Sequence, residues 1–245
     1  MSMSIVLAAE RLQKSFGAVR AAADVNLMFD ADTIVSLIGA NGAGKTTFLN
    51  MVTGYLKPDS GRILFGGRNI VGLSPRQITK LGIARSFQIP QLFQTMSVQE
   101  NLLTAESIAG VADPQGATEA ALDRFELRSY ATQQAGLLPE GIRKLLDVAM
   151  ALSSHSRLLL LDEPTSGVSA DEKFAIMDVV MDAARTAGVT VVFVEHDMEI
   201  VSRFAGRVIA FYDGGIIGDG PPDTVLRLDD VRRYVIGEET SHAAA

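Results

Sequence analysis

Near the start of the chain Val25, Leu27 and Phe29 are interleaved with Asn26 and Met28. This period of two marks a half-buried strand and predicts a small antiparallel sheet. The texture changes at Ile34-Val-Ser-Leu-Ile38, a run apolar enough for a buried strand, which a glycine-rich turn and a helical stretch from Lys45 to Tyr55 follow. Further on, Leu158 to Asp162 and Val189 to Val194 read as short apolar strands separated by the helical stretch Asp171 to Ala187. That is a βαβ unit, whose strands pair in parallel. Between Val98 and Leu152 no strand pattern occurs, and helical stretches are predicted over Val98 to Ser107, Thr118 to Phe125 and Arg143 to Leu152. The pattern predicts an α/β fold with an N-terminal antiparallel β subdomain and a helical subdomain inserted at about 98–152. No repeat, low-complexity tract or long Pro/Gly/Ser linker divides the chain. One domain is expected over 1–237, with a frayed tail at 238–245.

Composition agrees with a packed core. Of 245 residues 47% are hydrophobic and 21% charged, which excludes global disorder. There is no cysteine, so disulfides and thiolate-bound metals are excluded. The 22 basic residues are outnumbered by 29 acidic ones, giving −7, which argues against an open nucleic-acid surface as the main function. No signal-like segment opens the sequence, and its apolar runs fall far short of the roughly 18 residues a membrane helix needs. A soluble, cytoplasmic chain is expected.

The chemistry begins at Gly39-Ala-Asn-Gly-Ala-Gly-Lys45-Thr46, which satisfies G-x-x-x-x-G-K-S/T between a predicted strand and a predicted helix. In that setting Gly39, Asn41, Gly42, Ala43 and Gly44 can converge backbone N–H groups on phosphate oxygens, helped by the positive end of the helix dipole. Lys45 would reach the β- and γ-phosphates, the Thr46 hydroxyl would hold Mg²⁺, and Thr47 continues the helix start. A second element, Leu158-Leu-Leu-Leu-Asp162-Glu163-Pro164, ends an apolar strand in two carboxylates. Beside a phosphate loop, Asp162 can support Mg²⁺ indirectly, through the groups that touch the ion, and Glu163 is placed to polarise an attacking water as general base.

With both elements present, the sequence resembles the ATP-binding cassette family, the nucleotide-binding subunits of ABC transporters, along essentially its whole length. The resemblance implies a P-loop NTPase (ABC ATPase) core. It also implies a role for Gln88 in Arg85-Ser-Phe-Gln88, 43 positions after Lys45, as the Q-loop glutamine that contacts Mg²⁺ and water and senses a membrane subunit. His196 in Val194-Glu-His196-Asp looks like the switch histidine at the γ-phosphate. Phe16 in Lys14-Ser-Phe16-Gly17 looks like the aromatic that stacks on adenine.

One motif departs from the family. Where Leu-Ser-Gly-Gly-Gln is usual, this chain has Leu138-Pro139-Glu140-Gly141-Ile142. Pro139 removes a hydroxyl and a backbone N–H that would serve the nucleotide of an opposing subunit, and Glu140 sets a negative charge near polyphosphate. Pro at a helix start is sterically apt, however, and Gly141 still permits close backbone approach. Ser169 likewise stands where the D-loop usually has Asp. Two readings compete, a working but tuned ATPase and a degenerate site; Lys45, Thr46, Gln88, Asp162, Glu163 and His196 together favour the first.

The resemblance also implies two ATPase chains closing on ATP, as a homodimer or a heterodimer with a paralogous ATPase, since Leu138, Glu140 and Gly141 of one copy would serve the site of the other. Two transmembrane permease subunits would dock near the Q-loop, with Ile89-Pro-Gln-Leu-Phe-Gln-Thr-Met-Ser97 as the expected contact. A periplasmic solute-binding protein would act indirectly, with no nucleic-acid partner. The chain would sit peripherally on the inner face of a bacterial plasma membrane. Within the family, Ser86 to Leu102, Val194 to Met198, Gly218 to Val225 and Val231 to Gly237 are most similar to ATPases of branched-chain amino-acid importers. The alternatives are a non-transport cassette protein and a regulatory nucleotide-binding module.

Overall fold

The computed structural model describes residues 4–153 and 156–237; the expected frayed tail, 238–245, lies outside them. The elements in chain order begin with β1 (Ile5–Phe16), β2 (Val19–Asp30), β3 (Ile34–Ile38), α1 (Lys45–Val52), β4 (Ser60–Phe65) and β5 (Arg68–Asn69). There follow α2 (Pro75–Leu81), β6 (Ile83–Ser86), α3 (Val98–Ala109), α4 (Pro114–Arg124) and α5 (Glu140–Leu152). The chain continues through β7 (Leu158–Asp162), α6 (Lys173–Thr186), β8 (Thr190–Val194), α7 (Met198–Phe204), β9 (Arg207–Tyr212) and β10 (Gly215–Gly220). Two compact units result, Met1–Pro75 with Val192–Ala245, and Arg76–Val191.

In the first unit a four-stranded sheet is ordered β2-β1-β4-β5. Its central strand β1 is antiparallel to both neighbours, so that Leu7 lies between Phe29 and Phe65. The predicted alternation holds: Val25, Leu27 and Phe29 are buried, and Asn26 and Met28 are exposed. Phe29 packs on Phe48 of α1, and Phe48 on Phe211 of β9, each pair with ring centroids 6.0 Å apart. Burial of each such side chain contributes about 1.5–3 kcal/mol. β3 runs parallel to β9 from Val35↔Arg207 to Ile38↔Ala210, and β10 closes antiparallel on β9. Val35 to Ile38 are all buried, as in a strand covered on both faces.

The second unit is built on β6 parallel to β7, in register from Ile83↔Leu158 to Ser86↔Leu161. Leu158 to Leu161 are fully buried. Against them α5 sets Leu145, Leu146, Val148 and Ala149, all buried. Ser97 and Glu100 form a capping box that starts α3, and Asp113 caps α4 by accepting from the Gly116 N–H at 3.0 Å. Asn101, fully buried, accepts from the Phe93 N–H and donates to the Phe93 and Ser97 carbonyls, fixing the segment before α3.

Several helix ends differ from the periodicity. α1 stops at Val52 rather than Tyr55, because Gly54 turns left-handed at φ 75°. α4 begins at Pro114, not Thr118, since Asp113 and Pro114 make a cap and first position that an apolar-period reading overlooks. α5 begins at Glu140 rather than Arg143, with Pro139 as its N-cap. α6 begins at Lys173, because the N–H groups of Glu172 and Lys173 both bond back to the Ser169 carbonyl and extend the preceding turn.

Candidate active site

Each unit carries one set of the candidate residues singled out in the sequence. In the first, the loop from β3 to α1 is shaped by backbone packing. A Cβ on Gly39 would lie 2.5 Å from the Phe211 carbonyl oxygen, and one on Gly44, at φ 111°, would lie 2.5 Å from that of Ala21. Only glycine fits at either place. Ala43 is buried, whereas Asn41 and Gly42 are exposed. The Lys45 amine is buried and donates to the Gly39 and Ala40 carbonyls, which hold it within the loop. No acidic side chain occupies the first turn of α1, so the positive end of its dipole is not neutralised there. Thr46 is exposed and Thr47 half-buried.

Phe16, at the end of β1, is 52% exposed although aromatic, with the Lys14 amine 5.6 Å from its ring centroid. Its face is available to a planar partner. β8, whose Val192 to Val194 belong to this unit, is the neighbour of β3, so the phosphate loop follows one strand and His196 follows the next. His196 is exposed; its N–H donates to the buried Glu195 carboxylate, and Asp197 caps α7 by accepting from Glu199 and Ile200.

The second unit assembles the acidic groups. The β6–β7 register brings Ser86 opposite Leu161, so Gln88 and the Asp162-Glu163 pair emerge from adjacent parallel strand ends, where ligands of such sheets gather. Asp162 is ion-paired with Arg85 at 2.6 Å, both side chains being over nine-tenths buried. Glu163 adopts φ 52°, costly for a residue with a Cβ. Its carboxylate accepts from the Gln88 amide nitrogen at 2.9 Å. The buried Lys144 amine donates to the Glu163 carbonyl at 2.9 Å and to the Gln88 carbonyl at 3.2 Å. One turn on, Asp147 accepts from the Ser86 hydroxyl at 2.6 Å and the Gln91 N–H at 2.8 Å. Burial pushes the Asp147 carboxyl above its ordinary range, and the bonds from Ser86, Gln91 and Phe87 only partly oppose this.

The signature stretch opens α5 in the same unit. Leu138 is buried, Pro139 exposed, and Glu140 pairs with Arg143 at 3.3 Å. A Cβ on buried Gly141 would meet the Ile176 side chain at 2.6 Å, so this glycine accommodates α6. Ser169 donates its hydroxyl to the Glu172 carboxylate at 2.6 Å. Between α2, β6, α3 and α5 lies a groove of about 870 Å³, whose walls include Arg76, Phe87, Phe93, Ile108 and Asp147. Among the described residues no cluster of three or more His, Cys, Asp or Glu could hold a metal, and no helix is long and apolar enough to cross a membrane.

Lys45, Thr46, Phe16 and His196 thus belong to the first unit, and Gln88, Asp162, Glu163 and the signature residues to the second. Three residues that the motif reading passes over, Arg85, Lys144 and Asp147, hold the second set in place. Lys144 and Asp147 do leave a trace in the sequence: two opposite charges, three apart, on the otherwise apolar stretch Lys144 to Ala149.

The family model for the ABC transporter matches residues 22–166. The chain is 33% identical to the high-affinity branched-chain amino acid transport ATP-binding protein LivG of Escherichia coli strain K12, covering 95% of this chain and 98% of that protein. It is 32% identical to the probable branched-chain amino acid transport ATP-binding protein LivG of Archaeoglobus fulgidus, covering 96% and 97%. Among solved structures, the ADP conformation of MJ1267, an ATP-binding cassette of an ABC transporter, is 29% identical with a TM-score of 0.86, covering 96% of this chain and 99% of that one.

Proposed function

The chain belongs to the ABC transporter family, and we propose that it hydrolyses ATP to power uptake of branched-chain amino acids or a related small solute. It is an ABC ATPase subunit, homologous to importer ATPases.

The observation that carries the reading is Glu163, whose carboxylate is held by the Gln88 amide at the end of a buried strand. Glu163 polarises the attacking water, His196 contacts the γ-phosphate, and Lys45 neutralises charge developing on the transferred group. Gly39, Asn41, Gly42, Ala43, Gly44, Thr46 and Thr47 cradle the phosphates and Phe16 stacks on adenine. Mg²⁺ suits the hard oxygen donors that each unit offers by itself: the Thr46 hydroxyl in the first, and in the second the Gln88 amide oxygen, with the buried Asp162 carboxylate supporting the ion without touching it. A carboxylate only accepts, so the bond to Glu163 turns the Gln88 amide nitrogen toward it and reserves the oxygen for a cation. Bound there, Mg²⁺ would neutralise phosphate charge.

Arg143 supports a working signature. It pairs with Glu140 and so offsets the negative charge that Glu140 would otherwise bring to the nucleotide. Leu138, Glu140 and Gly141 serve a second ATPase chain, either another copy or a paralogue. Two membrane permeases dock at the groove beside the Q-loop, on the inner face of the plasma membrane, with a periplasmic solute-binding protein upstream. Support comes from Ile89, Phe93 and Ile108, which are 71%, 47% and 79% exposed although apolar.

Reconstitution in liposomes with the membrane subunits, and with leucine presented by a periplasmic binding protein, tests this. ATP-driven leucine accumulation is expected, and Glu163→Gln is expected to abolish it. Tight ATP binding without turnover in the wild-type assembly would overturn the reading in favour of a regulatory module.

A further inference from the structure

We infer that Lys144 is a positioning residue for ATP hydrolysis, setting the geometry between Gln88 and Glu163. The inference rests on reading Glu163 as the general base. Its basis is a closed ring of contacts. The Gln88 side chain donates to the Glu163 carboxylate, and the Lys144 amine donates to the backbone carbonyls of both Gln88 and Glu163. These three residues are 19, 56 and 75 positions apart in sequence, so nothing local ties them together.

Without Lys144 the ring opens. The side-chain contact at the exposed Gln88 would then be left among water molecules that compete for it, where a single hydrogen bond holds little. Glu163 also needs holding for its own reason. At φ 52° it occupies backbone space that a residue with a Cβ keeps only when its surroundings over-determine it. Its carbonyl is fixed from two sides, by the Lys144 amine and by the Ser166 N–H at 3.1 Å. An ammonium suits this task because it directs several donors from one atom, and its charge strengthens each bond in a buried setting. Asp147 holds Ser86 and Gln91, so α5 grips both ends of the segment that carries Gln88. Since Asp147 also lines the groove, a helix seated there would press on the same α5 face that sets the general base.

The test measures steady-state ATP hydrolysis and ATP-analogue binding on the full chain with Lys144→Met, Lys144→Gln, Lys144→Arg, Gln88→Ala and the double variant Gln88→Ala/Lys144→Met. Lys144→Met is expected to lower kcat by about tenfold or more, with KM for ATP and analogue affinity within about twofold of wild type, because misplacement of a catalytic group costs rate rather than binding. Lys144→Arg should recover most of the rate. In the double variant the losses should overlap, giving about the rate of the slower single variant. If Lys144→Met does not fold, Lys144→Gln, which keeps one donor arm, is read against the same expectations. The inference is overturned by a kcat within about twofold of wild type, by a loss carried equally in KM, or by losses that multiply with Gln88→Ala. A parallel Glu163→Gln sample separates the two ideas: if it hydrolyses ATP normally, the general-base reading fails, whatever Lys144 does.

Discussion

The two sets of candidate site residues are built in opposite ways. In the first unit the phosphate loop is made by consecutive residues, 39–46, whose conformation is enforced by missing side chains: a methyl group on Gly39 or Gly44 would collide with a backbone carbonyl 2.5 Å away. The second unit gathers Gln88, Lys144 and Glu163 from distant parts of the chain and holds them by side-chain donors. A backbone-built site tolerates nothing added. A side-chain-built site tolerates nothing removed.

Gly44→Ala should produce the largest effect on nucleotide binding and would break the first half alone. The added Cβ meets the Ala21 carbonyl, and φ 111° is strained for alanine, so ATP affinity is expected to fall by about a hundredfold or more, as read by analogue titration. Near-normal affinity would show that the loop is less constrained than its packing implies. Arg85→Ala acts on the second half. It leaves the Asp162 carboxylate buried without its guanidinium, which should cost about 3–5 kcal/mol in chemical denaturation. A loss below about 1 kcal/mol would mean that solvent reaches Asp162 and replaces Arg85. Phe16→Ala is a milder probe of the first unit. Losing a stacking face should raise KM for ATP by about three- to tenfold and leave kcat unchanged.

Asp147→Asn sharpens the comparison through pH. The Asp147 carboxyl is raised in the folded protein, so ionising it costs folding free energy. That cost is absent below the unfolded pKa, grows as pH rises through the ordinary aspartate range toward the raised folded value, and is constant above it. The stability of wild type relative to Asp147→Asn, followed by chemical denaturation as a function of pH, should therefore decline across that window and then level off. A difference that is flat with pH would show that Asp147 ionises normally.

This contrast in construction also explains what the sequence discloses. The loop Gly39 to Thr46 is legible because one short segment contains the entire device, including the glycines that its packing demands. Val25, Leu27 and Phe29 announce their strand because one face of that sheet is wet. Strand β9 carries no comparable signal: Val208 to Phe211 are buried on both faces, so no alternation appears. Glu163 and Gln88 are found through spacing relative to a motif. Lys144, Asp147 and Arg85 are not, because their meaning depends on partners 19 to 77 residues away that only folding supplies. Gly141 shows the reverse: its sequence context points to close nucleotide approach, while its Cβ direction points at Ile176.

The central claim is that nucleotide capture and water activation are carried by separately built sets of groups. It is tested most directly by measuring ATP-analogue binding and steady-state hydrolysis on Lys45→Ala and Glu163→Gln side by side. The account predicts that Lys45→Ala loses both, whereas Glu163→Gln binds like wild type and turns over at least about a hundredfold more slowly. Glu163→Gln hydrolysing at the wild-type rate, or losing binding and turnover together, would contradict it.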